Sequence, residues 1–412
     1  MLDVADLRFR FPALQRLLGE RPPVFFDGPA GSQVPAQVGD AVAAYLGETN
    51  ANTHGSFATS LEVEWMLHDA AGAVADLLGA GDPEEIAFGP NMTTLTLGFS
   101  RALGHTWGPG DEVLVTRQDH DANVWPWVLA ARDAGATVRY VDVDPTDCTL
   151  DLDDLDAKLS ERTRLVAVGA ASNAVGTVQP VGEVVRRAHA AGAEVFVDAV
   201  HFAPHRSIDV GAWDWDYLVC SAYKFFGPHV GILWGRRERL EAIDAYRVRP
   251  AGEALPGKWM TGTQSHEGIA GVRAAIGYLA SLGEGSSRRA CLEDAFAAIE
   301  AHERDLAARF LDLFERLPGL RVLGIDDRAR LAERVPTFGV VHDRVPAETL
   351  AKVLGAAGIF CWSGDFYAVE LIRRLGLEPH GMLRIGALHY NTVAEIDRLG
   401  DALEIALRSV PS

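Results

Sequence analysis

The stretch Glu194-Val195-Phe196-Val197-Asp198-Ala199-Val200-His201 runs three apolar residues together and ends them on a carboxylate. Leu218-Val219-Cys220-Ser221-Ala222-Tyr223-Lys224 repeats the plan, with hydroxyls and an amine after the apolar run. A strand solvated on one face alternates apolar and polar residues, whereas a strand covered on both faces is apolar throughout. Working outward, similar short runs fall at 24–26, 85–88, 112–115, 137–141, 164–168 and 231–234. Amphipathic segments lie between them at 61–78, 152–159 and 181–190. Strands alternating with helices predict an α/β fold with a mainly parallel, doubly wound sheet flanked by helices. The helix at 61–78 is expected to face the core through Leu61, Trp65, Leu67, Ala71, Val74 and Leu78.

The pattern changes near 257–268. Long helical periodicities follow at 270–282 and 288–317, then short apolar runs at 320–323, 337–341 and 382–387, and a last helical stretch at 394–407. This predicts a smaller C-terminal α+β domain. The expected division is an N-terminal segment 1–20, a large domain 21–270 and a small domain 271–412.

The chain has 412 residues, 48% hydrophobic and 23% charged, with a formal net charge of −19. That composition is of an ordinary globular protein. The acidic balance argues against a nucleic-acid or anionic-membrane partner, since no basic stripe is present to displace counterions. No run approaches the roughly 18 apolar residues of a membrane helix, and residues 1–18 lack the apolar core of a signal peptide. Cys148, Cys220, Cys291 and Cys361 form no C-x-x-C pair, so a reduced, cytoplasmic protein without a thiolate metal site is expected.

In open α/β sheets, ligands bind beyond the carboxyl ends of the strands. Asp198 and Lys224 occupy two such ends. A lysine there can form a Schiff base with a carbonyl cofactor, and a carboxylate can pair with a pyridinium nitrogen, which points to pyridoxal 5'-phosphate (PLP). Eight segments in order carry a wider resemblance: Asn52-Thr53-His54-Gly55, Phe88 to Thr94, Asp119-His120-Asp121-Ala122-Asn123, Ser172 to Thr177, Val197 to His201, Ser221-Ala222-Tyr223-Lys224, Thr261-Gly262-Thr263 and Arg384 to Thr392. From residue 25 to 407 the chain resembles the class V aminotransferase group of fold-type I PLP enzymes, and within it the cysteine-desulfurase-like branch.

The resemblance implies roles. Lys224 would hold PLP and move a proton at the substrate Cα. Asp198 would keep the pyridine nitrogen protonated, and His120 would stack on the ring. Met92 and Thr93, at a helix start, would offer amides to the phosphate, with Ser221 and Tyr223 adding hydroxyls. His201 would lie near the phenolic oxygen. Asn173 and Arg384 would hold the substrate carboxylate, a task that suits the guanidinium fork. Thr263 would reach the phosphate of a neighbouring subunit and His54 the substrate side of that contact, which implies a homodimer with shared sites. The N-terminal segment would pack on the small domain.

One departure bears on the reaction. In the branch it resembles, persulfide chemistry needs a cysteine on the loop before the final arginine motif. Here the loop reads Gly358-Ile359-Phe360-Cys361-Trp362-Ser363-Gly364-Asp365-Phe366-Tyr367-Ala368, and Tyr367 stands at that place. Cys361, six residues earlier, reads as a structural thiol. Trp362, Phe366 and Tyr367 would line a substrate mouth. The reading is therefore an amino-acid C–S lyase, releasing a Cβ substituent from cysteine or an S-substituted cysteine, possible in specialised metabolism. The alternatives are transamination or epimerisation of a bulky amino acid. A metal hydrolase built on Asp119, His120, Asp121, Asp198, His201 and His205 is a distant rival; Pro204 breaks the helical spacing of the two histidines, and Lys224 would have no task. A non-catalytic PLP-binding protein is a further rival, against which the presence of both Lys224 and Arg384 argues.

Overall fold

Strands that the sequence makes apolar on both faces are covered on both faces. The computed structural model describes residues 2–408; Met1 and 409–412, which end the expected segments 1–20 and 271–412, lie outside the described residues. The strands are β1 (Val24–Phe25), β2 (Ile86–Gly89), β3 (Glu112–Thr116), β4 (Thr137–Val141), β5 (Thr163–Gly169), β6 (Glu194–Asp198), β7 (Tyr217–Ser221), β8 (Gly231–Gly235), β9 (Leu320–Leu323), β10 (Thr337–His342), β11 (Ile359–Phe360), β12 (Trp362–Gly364) and β13 (Met382–Gly386). Seven form one sheet in the order β2-β8-β7-β6-β5-β3-β4. The run from β7 to β4 is parallel, and β8 is antiparallel to both its neighbours. Alternate residues of one strand enter different cores. Val195 and Val197 join one apolar cluster and Phe196 the other; Leu218 and Cys220 join the first, Tyr217 and Val219 the second. The mainly parallel α/β sheet expected from the sequence is the one observed.

The parallel register sets Val197 beside Leu218 and Asp198 beside Val219. The carboxyl ends of β6 and β7 therefore open side by side, with Asp198 on one and Ser221 to Lys224 following the other. This is where the topology places a ligand crevice.

A second sheet, β12-β13-β10-β9, is antiparallel. It packs on a third apolar cluster with residues from the helices Arg288–Glu315 and Val393–Arg408. β1 pairs in parallel with β11 rather than joining the large sheet. Val24 and Phe26 enter the third cluster and Phe25 the first, so β1 stitches the two sheets together. A local pattern of two or three apolar residues carries no information about a partner 335 residues away. The N-terminal turn is held by Arg8, which donates to the Tyr390 carbonyl at 2.6 Å and pairs with Glu395 at 3.0 Å. Phe11 packs edge-on against Tyr278 and Tyr390.

The helix expected at 61–78 spans Ala58–Leu78, and its buried face differs at the start. Ser60, Val63, Ala70, Ala71 and Val74 are buried, whereas Leu61 and Trp65 are 55% and 61% exposed. With Phe57 they make an outward apolar row at four-residue spacing. No helix among the described residues is long and apolar enough to cross a membrane.

Candidate active site

The crevice beyond β6 and β7 is a cavity of about 380 Å³. Met92, Thr93, His120, Asn173, Asp198, His201, Tyr223, Lys224, Trp362, Tyr367 and Arg384 all line it. With Phe366, which also lines it, twelve of the fifteen expected site residues, drawn from separate strands, loops and a helix start, are brought together. Ser221 lies just behind: its Oγ accepts the Met92 N–H at 3.0 Å and fixes the start of the helix Met92–Gly104, which Asn91 caps through Thr94 N at 2.8 Å. His54 and Thr263 are elsewhere in the chain, together lining a second cavity of about 650 Å³.

The floor is polar, and most of its ionisable side chains are buried. Lys224 is buried; its Nζ donates to the Pro29 carbonyl, and burial together with the Arg384 guanidinium pushes its pKa down to about 7. An amine with that pKa is about half unprotonated at neutral pH, far more than an ordinary lysine, and that fraction is a competent nucleophile. Asp198 accepts the Val200 N–H at 2.8 Å, and burial pushes its carboxyl up to about 6 against the pull of that bond and of Lys224. His120 is held neutral, its pKa brought to about 4 by burial and by Lys224 and Arg384. His201 meets Thr337 Oγ1 at 3.0 Å and is likewise driven well down by burial. Arg384, on β13, donates to the Asn173 carbonyl at 3.0 Å.

Several residues that shape the cavity were not assigned to it from sequence. Asp119 was weighed only as a metal ligand. It is fully buried, accepts Gly169 N–H at 2.9 Å and Asn123 Nδ2 at 2.8 Å, and is pushed up to about 7 by burial and by Asp198. A Cβ on Gly169 would sit 2.8 Å from Asp119 Oδ1, so the carboxylate needs glycine there. Gln118 lines the cavity, donates to the Thr177 carbonyl and keeps its Oε1 without a donor among the described residues. Their signal was adjacency to His120 alone. Among the described residues, no three His, Cys, Asp or Glu side chains converge as metal ligands; His205 is taken by Glu303 at 2.8 Å.

The mouth is built differently. Phe366 and Tyr367 both have left-handed backbone, φ +56° and +57°, a cost of about 1–2 kcal/mol each for residues with a Cβ. The loop is held there by Asn173 Nδ2 on the Phe366 carbonyl (2.9 Å), Asp121 N on the Tyr367 carbonyl (2.7 Å) and Tyr367 N on Asp365 Oδ1 (3.0 Å). The Arg384 guanidinium lies 4.1 Å from the Phe366 ring centroid, and Tyr367 stacks on His120 at 5.3 Å and 24°. Cys361 points away from the cavity into the third cluster, and burial pushes its thiol up to about 12.

These residues fit PLP. A buried uncharged-leaning amine, a buried carboxylate, a neutral imidazole and a helix start meet in one cavity of suitable size. Lys224 would carry the cofactor covalently, Asp198 would pair with its ring nitrogen, and Met92 and Thr93 would face its phosphate.

Comparison with known proteins agrees. The model of the family described as aminotransferase class-V matches residues 24–399. The chain is 31% identical to a probable cysteine desulfurase of Halalkalibacterium halodurans over 98% of both chains. It is 29% identical to a cysteine desulfurase of Synechococcus elongatus, spanning 97% of this chain and 63% of that one. The crystal structure of an Escherichia coli cysteine desulfurase superimposes over the whole of both chains with TM-score 0.87 at 26% identity. The chain belongs to the class V aminotransferase family of PLP-dependent enzymes.

Proposed function

We propose that this protein is a C–S lyase that splits cysteine or an S-substituted cysteine into a thiol or sulfide, pyruvate and ammonia. One observation carries the reading: the floor keeps an amine, a carboxylate and a guanidinium together, while the loop above it presents Tyr367 and turns its one thiol, Cys361, away. The naming of several relatives as cysteine desulfurases supports carbon–sulfur chemistry. When bound, PLP supplies an electron-accepting ring that acidifies the substrate Cα–H and lets a Cβ substituent depart.

The chain's own residues would do the rest. Arg384 and Asn173 hold the substrate carboxylate, fixing which Cα bond faces Lys224. Lys224 Nζ, with its lowered pKa, takes the Cα proton. The C–S electron pair leaves with sulfur, which gains a proton; water then releases ammonia and the three-carbon oxo acid. No protein thiol accepts the sulfur. Tyr367, stacked on His120, stands at the mouth.

The active unit is a homodimer in this reading. The exposed row Phe57, Leu61 and Trp65 supports it, as does the position of His54 and Thr263 in a cavity apart from Lys224. Sedimentation at micromolar concentration should give twice the chain mass.

The reaction is tested by incubating the PLP-loaded protein with S-alkylcysteines. Equal amounts of thiol and pyruvate are expected. An oxo acid that retains the sulfur would make the enzyme an aminotransferase.

A further inference from the structure

The cavity is polarised. Its floor carries the Arg384 guanidinium, the natural partner of a substrate carboxylate. Its mouth carries the opposite. Asp365 lines it and is exposed; Asp121, outside the lining, donates its backbone N–H to the Tyr367 carbonyl. Neither carboxylate has a Lys or Arg partner among the described residues, although most of the chain's arginines are paired. The nearby Glu370 is already shared by Arg117 and Arg373. Asp121 is raised by burial first and then by the proximity of Glu370 and Asp365. Beside these groups stand Trp362, 55% exposed, and Tyr367, 69% exposed. Neither is buried as core, so each offers aromatic surface to whatever enters. Gln118 adds a buried carbonyl oxygen with no donor inside the same cavity. Aromatic faces beside carboxylates attract a cation, and attract a weakly hydrated one most.

Resting on the C–S lyase reading, we infer that the physiological substrate carries a positive charge at the far end of its sulfur substituent, held between Trp362, Tyr367 and Asp365. The substrate class is a cysteine S-conjugate with an ammonium, guanidinium or imidazolium group a few bonds beyond sulfur. Its carboxylate meets the positive floor and its cation the negative, aromatic mouth. Reversing the molecule would set like charges against each other at both ends, so the same polarity also orients it.

The test uses the PLP-loaded enzyme and three thioethers of cysteine: S-(2-trimethylammonioethyl), its uncharged isostere S-(3,3-dimethylbutyl), and the anionic S-(3-carboxypropyl). The expected order of kcat/KM for thiol release is cationic, neutral, anionic, with the cation at least about tenfold above the isostere. Asp365→Asn and, separately, Trp362→Leu should each shrink the cation-to-isostere ratio severalfold. Calorimetry of the corresponding non-cleavable analogues, with CH2 in place of sulfur, reads the same ratio as dissociation constants, independent of turnover. An isostere that equals or beats the cation in both measurements overturns the inference, as does a ratio that neither substitution moves. If no thioether releases thiol but the cationic analogue binds tenfold tighter, the lyase reading fails while the cation preference of the mouth stands. If all three release thiol at similar efficiency, the lyase reading stands and the inference fails.

Discussion

The floor and the mouth of the cavity are a few ångströms apart and are made by different means. The floor hangs on β6, β7 and β13, strands buried on both faces, and its side chains are nearly inaccessible. The mouth is a loop at 365–367, held in left-handed backbone by three hydrogen bonds, one within the loop and two from Asn173 and Asp121. Chemistry that needs depressed amine basicity and a fixed charge sits where water is excluded. Chemistry that chooses a substrate sits where a few residues can change without unsettling a sheet. In the proposed reading the floor carries the bond-breaking chemistry and the mouth, with Tyr367 and no thiol, selects the substrate.

That contrast can be broken at several points. The largest effect should come from Lys224→Ala. It should abolish the borohydride-reducible attachment of PLP and lower turnover by at least about a thousandfold; a retained covalent linkage would remove Lys224 from its role. Next, Arg384→Ala should lower kcat/KM about a hundredfold, mostly through KM, because a buried carboxylate loses its bidentate partner. A fall confined to kcat would mean that Arg384 acts on the reacting atoms instead. The pKa of Lys224 gives the third. Only the neutral amine attacks the cofactor aldehyde, so PLP uptake by the cofactor-free protein should rise about tenfold per pH unit below about 7 and level off above it. A rise that continues to pH 10 would show an ordinary lysine. The smallest effect belongs to the mouth: Tyr367→Phe keeps the ring on His120 and should change turnover of a simple S-alkylcysteine by less than about threefold. Loss of turnover with the cofactor still attached would make the Tyr367 hydroxyl part of the chemistry and erase the distinction between mouth and floor.

The same contrast explains what the sequence could tell. Asp198 and Lys224 were legible because both-face burial writes itself as unbroken apolar runs, and such runs end at the ligand side of the sheet. The expected Met92, Thr93, His120, Asn173, His201, Tyr223 and Arg384 came from motif resemblance and meet in one cavity. What failed to show was long-range or external. β1 could not announce that it pairs with β11, because two apolar residues fit either sheet. Leu61 and Trp65 looked like core residues since apolar spacing records burial without saying against what. Asp119 and Gln118 gave no sign of their place because their partners, Gly169 and Thr177, lie 50 and 59 residues onward. Asp365 drew no notice because an unpaired carboxylate in a loop is common in any acidic chain.

The most direct test of the account is a product balance with S-methylcysteine and the PLP-loaded enzyme, free of added thiol and oxo acid. The account predicts methanethiol, pyruvate and ammonia in equal amounts over many turnovers, with no sulfur added to the protein mass. Sulfur-retaining oxo acid limited to one equivalent per site, or a protein-bound persulfide formed from cysteine itself, would contradict it.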